Sequence, residues 1–131
     1  MSDSDGAVRG TPRAILRIEG AVALIAAIVV YQHVGGSWLL FAVLLLAPDL
    51  FMVGYLRGPR LGAIVYNSAH SYATPAALAA VGLGLDSPRT AQIALIWIAH
   101  IGLDRLLGYG LKYGTAFGDT HLGRLGNRPR Q

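Results

Sequence analysis

LGAIVYNSAHSYATPAALAAVGLGL (61–85) runs for 25 residues without one Asp, Glu, Lys or Arg. A helix rises about 1.5 Å per residue and the hydrocarbon of a bilayer is about 30 Å thick, so such a run crosses with some tilt. A soluble amphipathic helix of this length would carry a polar face of useful width, and this one has none. The stretch therefore predicts an integral membrane protein.

Three further apolar runs flank it, at 14–34, 38–56 and 91–112, each long enough to span. The breaks HVGGS (33–37), RGPR (57–60) and DSPRT (86–90) are rich in turn formers and too short for anything but antiparallel neighbours. The expected fold class is all-α: an antiparallel four-helix bundle in the membrane, spanning within 14–112. Residues 1–13 read as a disordered cytoplasmic tail, and 113–131 as a cytoplasmic interfacial segment. Arg9 and Arg13 ahead of an apolar run also resemble a signal peptide, but HVGGSW offers no usual cleavage site, so an uncleaved first span is expected.

Composition agrees. Of 131 residues 53% are apolar and only 14% charged, which favours a single small membrane domain over a soluble globule. The absence of cysteine excludes disulfides, thiolate metal sites and thiol catalysis. The net charge of +4 does not point to nucleic acid, because the basic residues sit at segment ends and form no stripe. Four spans would put Arg9, Arg13, Arg57, Arg60, Lys112, Arg124, Arg128 and Arg130 on one side and Arg89 on the other. The positive-inside rule then places both termini in the cytoplasm.

Each apolar run also holds polar groups that hydrocarbon would reject: Glu19, Asp49, Asn67 with His70, and His100 with Asp104. Counted inward from the nearest cytoplasmic basic residue, all lie about 9–18 Å deep, at a common level. Tyr66 and Asn67 share a helix side with His70, and His100 with Asp104. Arg105 lies about 100° round from Asp104 and is expected to pair with Glu19 or Asp49, or to snorkel.

Three readings follow. The first is an ion-paired lock that fixes helix register, with Arg17 and Arg105 offsetting the acids. The second is a metal site, since two imidazoles and one or two carboxylates suit zinc, iron or manganese. The third is a proton or substrate pathway. Axial haem ligation by His70 and His100 would leave the carboxylates unexplained. Small residues four apart (Gly58 and Gly62, Ala73 and Ala77, Ala76, Ala80 and Gly84) would let helices, or a second copy in a homo-oligomer, approach closely. Tyr109, Tyr113 and Phe117 are spaced as an interfacial aromatic ridge, and His121 in DTHLG would close the cavity if this segment folds back. GNRPRQ (126–131) reads as a disordered end that touches anionic headgroups.

APDL (47–50), GYLRGPRLGAIVYNSAHSY (54–72) and WIAHIGLDRLLGYGLKYGTAFGDTHLG (97–123) resemble the domain of unknown function 4260 family, small bacterial integral membrane proteins. The likeness runs from Leu16 to Leu125 and implies a four-helix membrane protein without an established activity. HIGLDRLLGYG (100–110) is also similar to the H-x-x-x-D-x-x-x-x-Y-G segment of membrane-bound, presumed metal-dependent hydrolases once described as LexA-binding. Their other signature, H-R-G-x-x-H-S, is matched only at His70 and Ser71, with Val65 in place of the first histidine.

The expectation is therefore a multi-pass protein with an intramembrane polar site. It would be a metal-dependent hydrolase acting on a lipid or lipid-linked substrate, or else a non-catalytic protein whose cluster fixes helix register. Asp49, His70, His100 and Asp104 would be the metal ligands or acid/base groups. Tyr66, Asn67 and Arg105 would orient the substrate, and Arg57 and Arg60 would attract an anionic headgroup.

Overall fold

The computed structural model describes residues 6–125, so Arg128, Arg130 and the rest of GNRPRQ lie outside the described residues, as do residues 1–5 of the N-terminal tail. The chain is all-helical apart from a short hairpin near its end. Helix α1 (Gly10–His33) is followed by α2 (Trp38–Leu44), an 11-residue 3₁₀ helix (Ala47–Arg57), α3 (Pro59–His70), α4 (Ala73–Gly84) and α5 (Pro88–Leu107). Strands β1 (Asp119–Thr120) and β2 (Gly123–Arg124) then pair antiparallel.

Three stretches, Gly10–His33, Trp38–Arg57 and Pro88–Leu107, are long and apolar enough to cross a membrane, and α4 is a shorter apolar helix. Their outer faces are bare hydrocarbon: Leu39, Leu50, Leu56 and Leu83 are each at least 75% exposed. Apolar surface on this scale suits lipid, not water.

Helix α5 is the most enclosed of the three long stretches. Helix α1 runs antiparallel to it, with Arg17 Nε donating to the Leu106 carbonyl (2.9 Å) at one end and Gln92 Nε2 to the Val34 carbonyl (3.2 Å) at the other. Between these ties Gly20 faces Gly102. A Cβ on Gly102 would stand 2.6 Å from the Gly20 carbonyl and 2.8 Å from the Leu24 nitrogen, so only glycine permits this approach. Gly62 and Gly82 also sit under close neighbours, Tyr55 and Thr90, whereas Gly58 and Gly84 meet nothing within 4 Å.

Two breaks in helical geometry position the site. Pro48 has no N–H and its ring collides with an α-helical predecessor, so the ladder of α2 stops before it. The Asp49 N–H then bonds the Leu46 carbonyl in 3₁₀ fashion (3.1 Å), which leaves the Leu45 carbonyl free for a side chain. The second break overturns the expectation of one continuous helix over 61–85. Ser71 is extended (φ −94°, ψ 135°) and separates α3 from α4. A helix end strands its last carbonyls, and here side chains meet them. Thr74 Oγ1 bonds the Ser68 carbonyl, Trp97 Nε1 the Ala69 carbonyl (2.6 Å) and Arg105 Nη2 the His70 carbonyl (2.9 Å).

Helix α5 ends at Leu107 rather than running to residue 112. Gly108 adopts the left-handed conformation (φ 90°) and its N–H and that of Tyr109 bond back to Arg105 and Asp104, a glycine stop signal. The chain beyond folds back under the helices. Val8 N–H donates to His121 O (2.8 Å), Tyr113 Oη to Gly6 O (2.7 Å) and Arg13 Nε to Leu122 O (2.5 Å). Helix α1 begins at Gly10, four residues ahead of the expected span, and residues 6–9 are tied to this segment.

Candidate metal centre

Asp49 from the first turn of the 3₁₀ helix, His70 from the last turn of α3, and His100 and Asp104 from one face of α5 converge, with one potential ligand atom from each within 4.8 Å of all the others. Both histidines are buried, at 0% and 2% exposure, while the carboxylates keep one side open. His70 Nε2 lies 3.1 Å from His100 Nε2, 3.2 Å from Asp49 Oδ1 and 3.5 Å from Asp104 Oδ2. His100 Nε2 lies 3.2 Å and 3.3 Å from the same two oxygens.

Backbone carbonyls set the tautomers. His70 Nδ1 is 2.8 Å from the Tyr66 carbonyl, and His100 Nδ1 is 2.6 Å from the Leu45 carbonyl that Pro48 leaves free. A carbonyl only accepts, so both Nδ1 atoms carry the proton, and each ring in its neutral form aims a bare Nε2 lone pair into the cluster. Two lone pairs and two carboxylate oxygens thus meet at one point. They repel unless a cation sits among them, whether protons on the imidazoles or a metal ion.

Geometry discriminates further. A tetrahedral ion with ligands at about 2.0–2.1 Å has ligand–ligand edges of about 3.3–3.4 Å. Five of the six edges here measure 3.1–3.5 Å. Backbone carbonyls on the outer nitrogens are the usual partners of metal-ligating imidazoles, since they fix the tautomer and ring plane. The donor set therefore fits a divalent ion, and all four residues come from one chain.

The other residues expected at the site divide. Tyr66 is buried and stacks on His70, centroids 3.7 Å apart and planes 7° from parallel. Asn67 turns away from the cluster, and its side-chain amide clamps the backbone of Lys112, donating to the carbonyl (2.8 Å) and accepting from the N–H (2.7 Å). Arg105 pairs with neither Glu19 nor Asp49. Its guanidinium caps α3 and bonds the Tyr109 carbonyl (3.3 Å), because a cation is favoured where helix carbonyls end. Arg57 stands exposed at the end of the 3₁₀ helix and Arg60 in the first turn of α3, and neither lines the cavity beside the carboxylates.

Glu19 does not join the cluster, although its neighbour Gly20 packs against Gly102 and Arg105. It is exposed on α1 among Ile15, Ile18 and Val22, and neither Arg17 nor Arg105 pairs with it among the described residues. The sequence reading also missed three contributors. Trp97 holds the broken end of α3, the Leu45 carbonyl orients His100, and Lys112 faces the cavity. Pro48 signalled the second and Gly108 the third; nothing in the sequence signalled Trp97. His121 does not close the site, since its Nδ1 accepts the Leu111 N–H (2.8 Å). Nor do Tyr109, Tyr113 and Phe117 form a helical ridge, because the helix has ended and Phe117 packs edge-on against Tyr55.

The sequence profile described as Domain of unknown function (DUF4260) matches residues 13–125. The chain belongs to this family. The match takes in all four residues of the cluster and the broken helix around it. No curated protein and no solved structure matches the chain.

Proposed function

We propose that this chain is a small multi-pass membrane protein that holds one divalent metal ion within the bilayer and uses it to hydrolyse a lipid or lipid-linked substrate. The observation that carries the reading is the convergence of two imidazole Nε2 atoms and two carboxylates, five of their six separations near those of a tetrahedron, where two interrupted apolar stretches meet helix α5. An ion there would lower the pKa of a bound water and supply a nucleophile near neutral pH. Asp49 and Asp104, the two ligands with an open side, face the cavity from which a substrate would approach. An apolar pocket of about 160 Å³ between Leu44, Pro48, Phe51 and Trp97 adjoins Asp49 and suits an acyl chain. The distribution of basic residues supports both termini on the cytoplasmic side of a bacterial inner membrane.

Elemental analysis of the detergent-purified chain tests this. One equivalent of zinc, iron or manganese is expected. His70→Ala and His100→Ala should lose it while circular dichroism still reports helix, and chelation should abolish release of headgroup from phospholipid vesicles. A cluster that only fixes helix register predicts no metal in the wild type and unfolding in those same variants, and that result would refute the proposal.

A further inference from the structure

The cavity onto which Asp49 and Asp104 open measures about 180 Å³ and is also lined by Tyr66, Lys112 and Phe117. Lys112 is only 5% exposed, and its ammonium lies 3.7 Å from the Phe117 ring centroid and 5.0 Å from that of Tyr66. Among the described residues the ammonium has no hydrogen bond and no carboxylate within 4.0 Å. Ring faces alone return little to a cation against the cost of burying one. Yet the backbone of this residue is held at both its polar groups by Asn67 and again by a bridge to Thr120. A buried cation, fixed in place and short of an anion, is arranged to receive one.

We propose that Lys112 forms an anion subsite which, together with an ion held by His70, His100, Asp49 and Asp104, receives the phosphoryl group of an amphiphilic phosphate ester. This rests on the metal reading of the cluster. A divalent ion cancels the charge of the two carboxylates and leaves the ammonium as the net charge of the cavity; without it the acidic wall would repel an anion. A phosphoryl group presents several oxygens, so one can turn to the ion while another meets Lys112, and lysine serves phosphate as a point charge. The amphiphile is argued from position. Pro48 lines the apolar pocket and Asp49 the polar cavity, so adjacent residues divide a place for an alkyl chain from a place for its head.

Calorimetric titration of the full-length, metal-loaded chain with inorganic phosphate and with hexyl phosphate tests this, with metal content measured in every sample. The wild type should bind both and prefer hexyl phosphate. Lys112→Met should weaken both by about 10- to 100-fold at unchanged metal content, and Lys112→Arg should retain most of the affinity. Equal binding by wild type and Lys112→Met at equal metal content overturns the subsite and leaves the metal centre standing. Inorganic phosphate bound as tightly as hexyl phosphate overturns the amphiphile and leaves a free phosphate as ligand. A wild type with neither metal nor phosphate affinity overturns both readings. Phosphate affinity without metal, lost in Lys112→Met, overturns the metal centre and the joint site, and leaves Lys112 as a phosphate contact of its own.

Discussion

Single residues here act mostly through the backbone. His70 and His100 are useful because carbonyls fix their outer nitrogens, Tyr66 one turn back on α3 for the first and Leu45, freed where α2 is interrupted, for the second. Trp97 shows how much one donor carries. Trp97→Phe keeps an aromatic ring against Phe51 and removes the N–H that satisfies the Ala69 carbonyl at the end of α3. Leaving that buried carbonyl unpaired should cost about 1–3 kcal/mol of stability, read as a lower midpoint in denaturation from detergent. A midpoint within about 0.3 kcal/mol of wild type would show that α3 ends without help from α5. The clustering of Asp49, His70, His100 and Asp104 was legible because acids and imidazoles are so costly in apolar runs that their mere presence marks a site. Asn67 and Arg105 were legible as polar outliers but not in what they bond. Their partners are backbone groups far along the chain, at Lys112 and His70, and no side-chain pattern encodes such partners.

At the level of elements, apolar periodicity and turn formers located the helices and antiparallel neighbours, but not their interruptions. The run 61–85 looks continuous because its break falls at Ser71 and Tyr72, neither of which forbids a helix. The cost of the break is met from α5 and Thr74, through tertiary contacts. The tightest helix approach, Gly20 on Gly102, likewise escapes a search for small residues four apart, because each helix contributes a single glycine. The C-terminal segment yields a pH prediction. Burial and the nearby charge of Arg105 hold His121 below its ordinary pKa, and its Nδ1 must stay unprotonated to accept the Leu111 N–H. Docking of this segment is therefore fully supported above the unfolded value of about 6.5, and the support is lost as pH falls from there through the lower folded value. The protection of the Leu111 amide against hydrogen exchange, corrected for the intrinsic pH dependence of exchange, should fall between pH 7 and pH 5, and His121→Asn should flatten that dependence. A protection factor that stays constant over the range in the wild type would contradict it.

The whole molecule can be read as a membrane scaffold whose irregularities converge. Pro48 interrupts one apolar stretch and Ser71 another, and both fall beside His100 and Asp104 on the enclosed helix α5. Non-helical backbone at membrane depth persists only where protein or a cavity covers it, and here it surrounds the cluster. X-ray absorption at the metal edge of the zinc-loaded chain measures the outcome most directly. Two imidazole nitrogens and two carboxylate oxygens at about 2.0–2.1 Å are predicted, with one imidazole missing in His100→Ala. A spectrum of hydrated zinc, or one that His70→Ala and His100→Ala leave unchanged, would contradict the account.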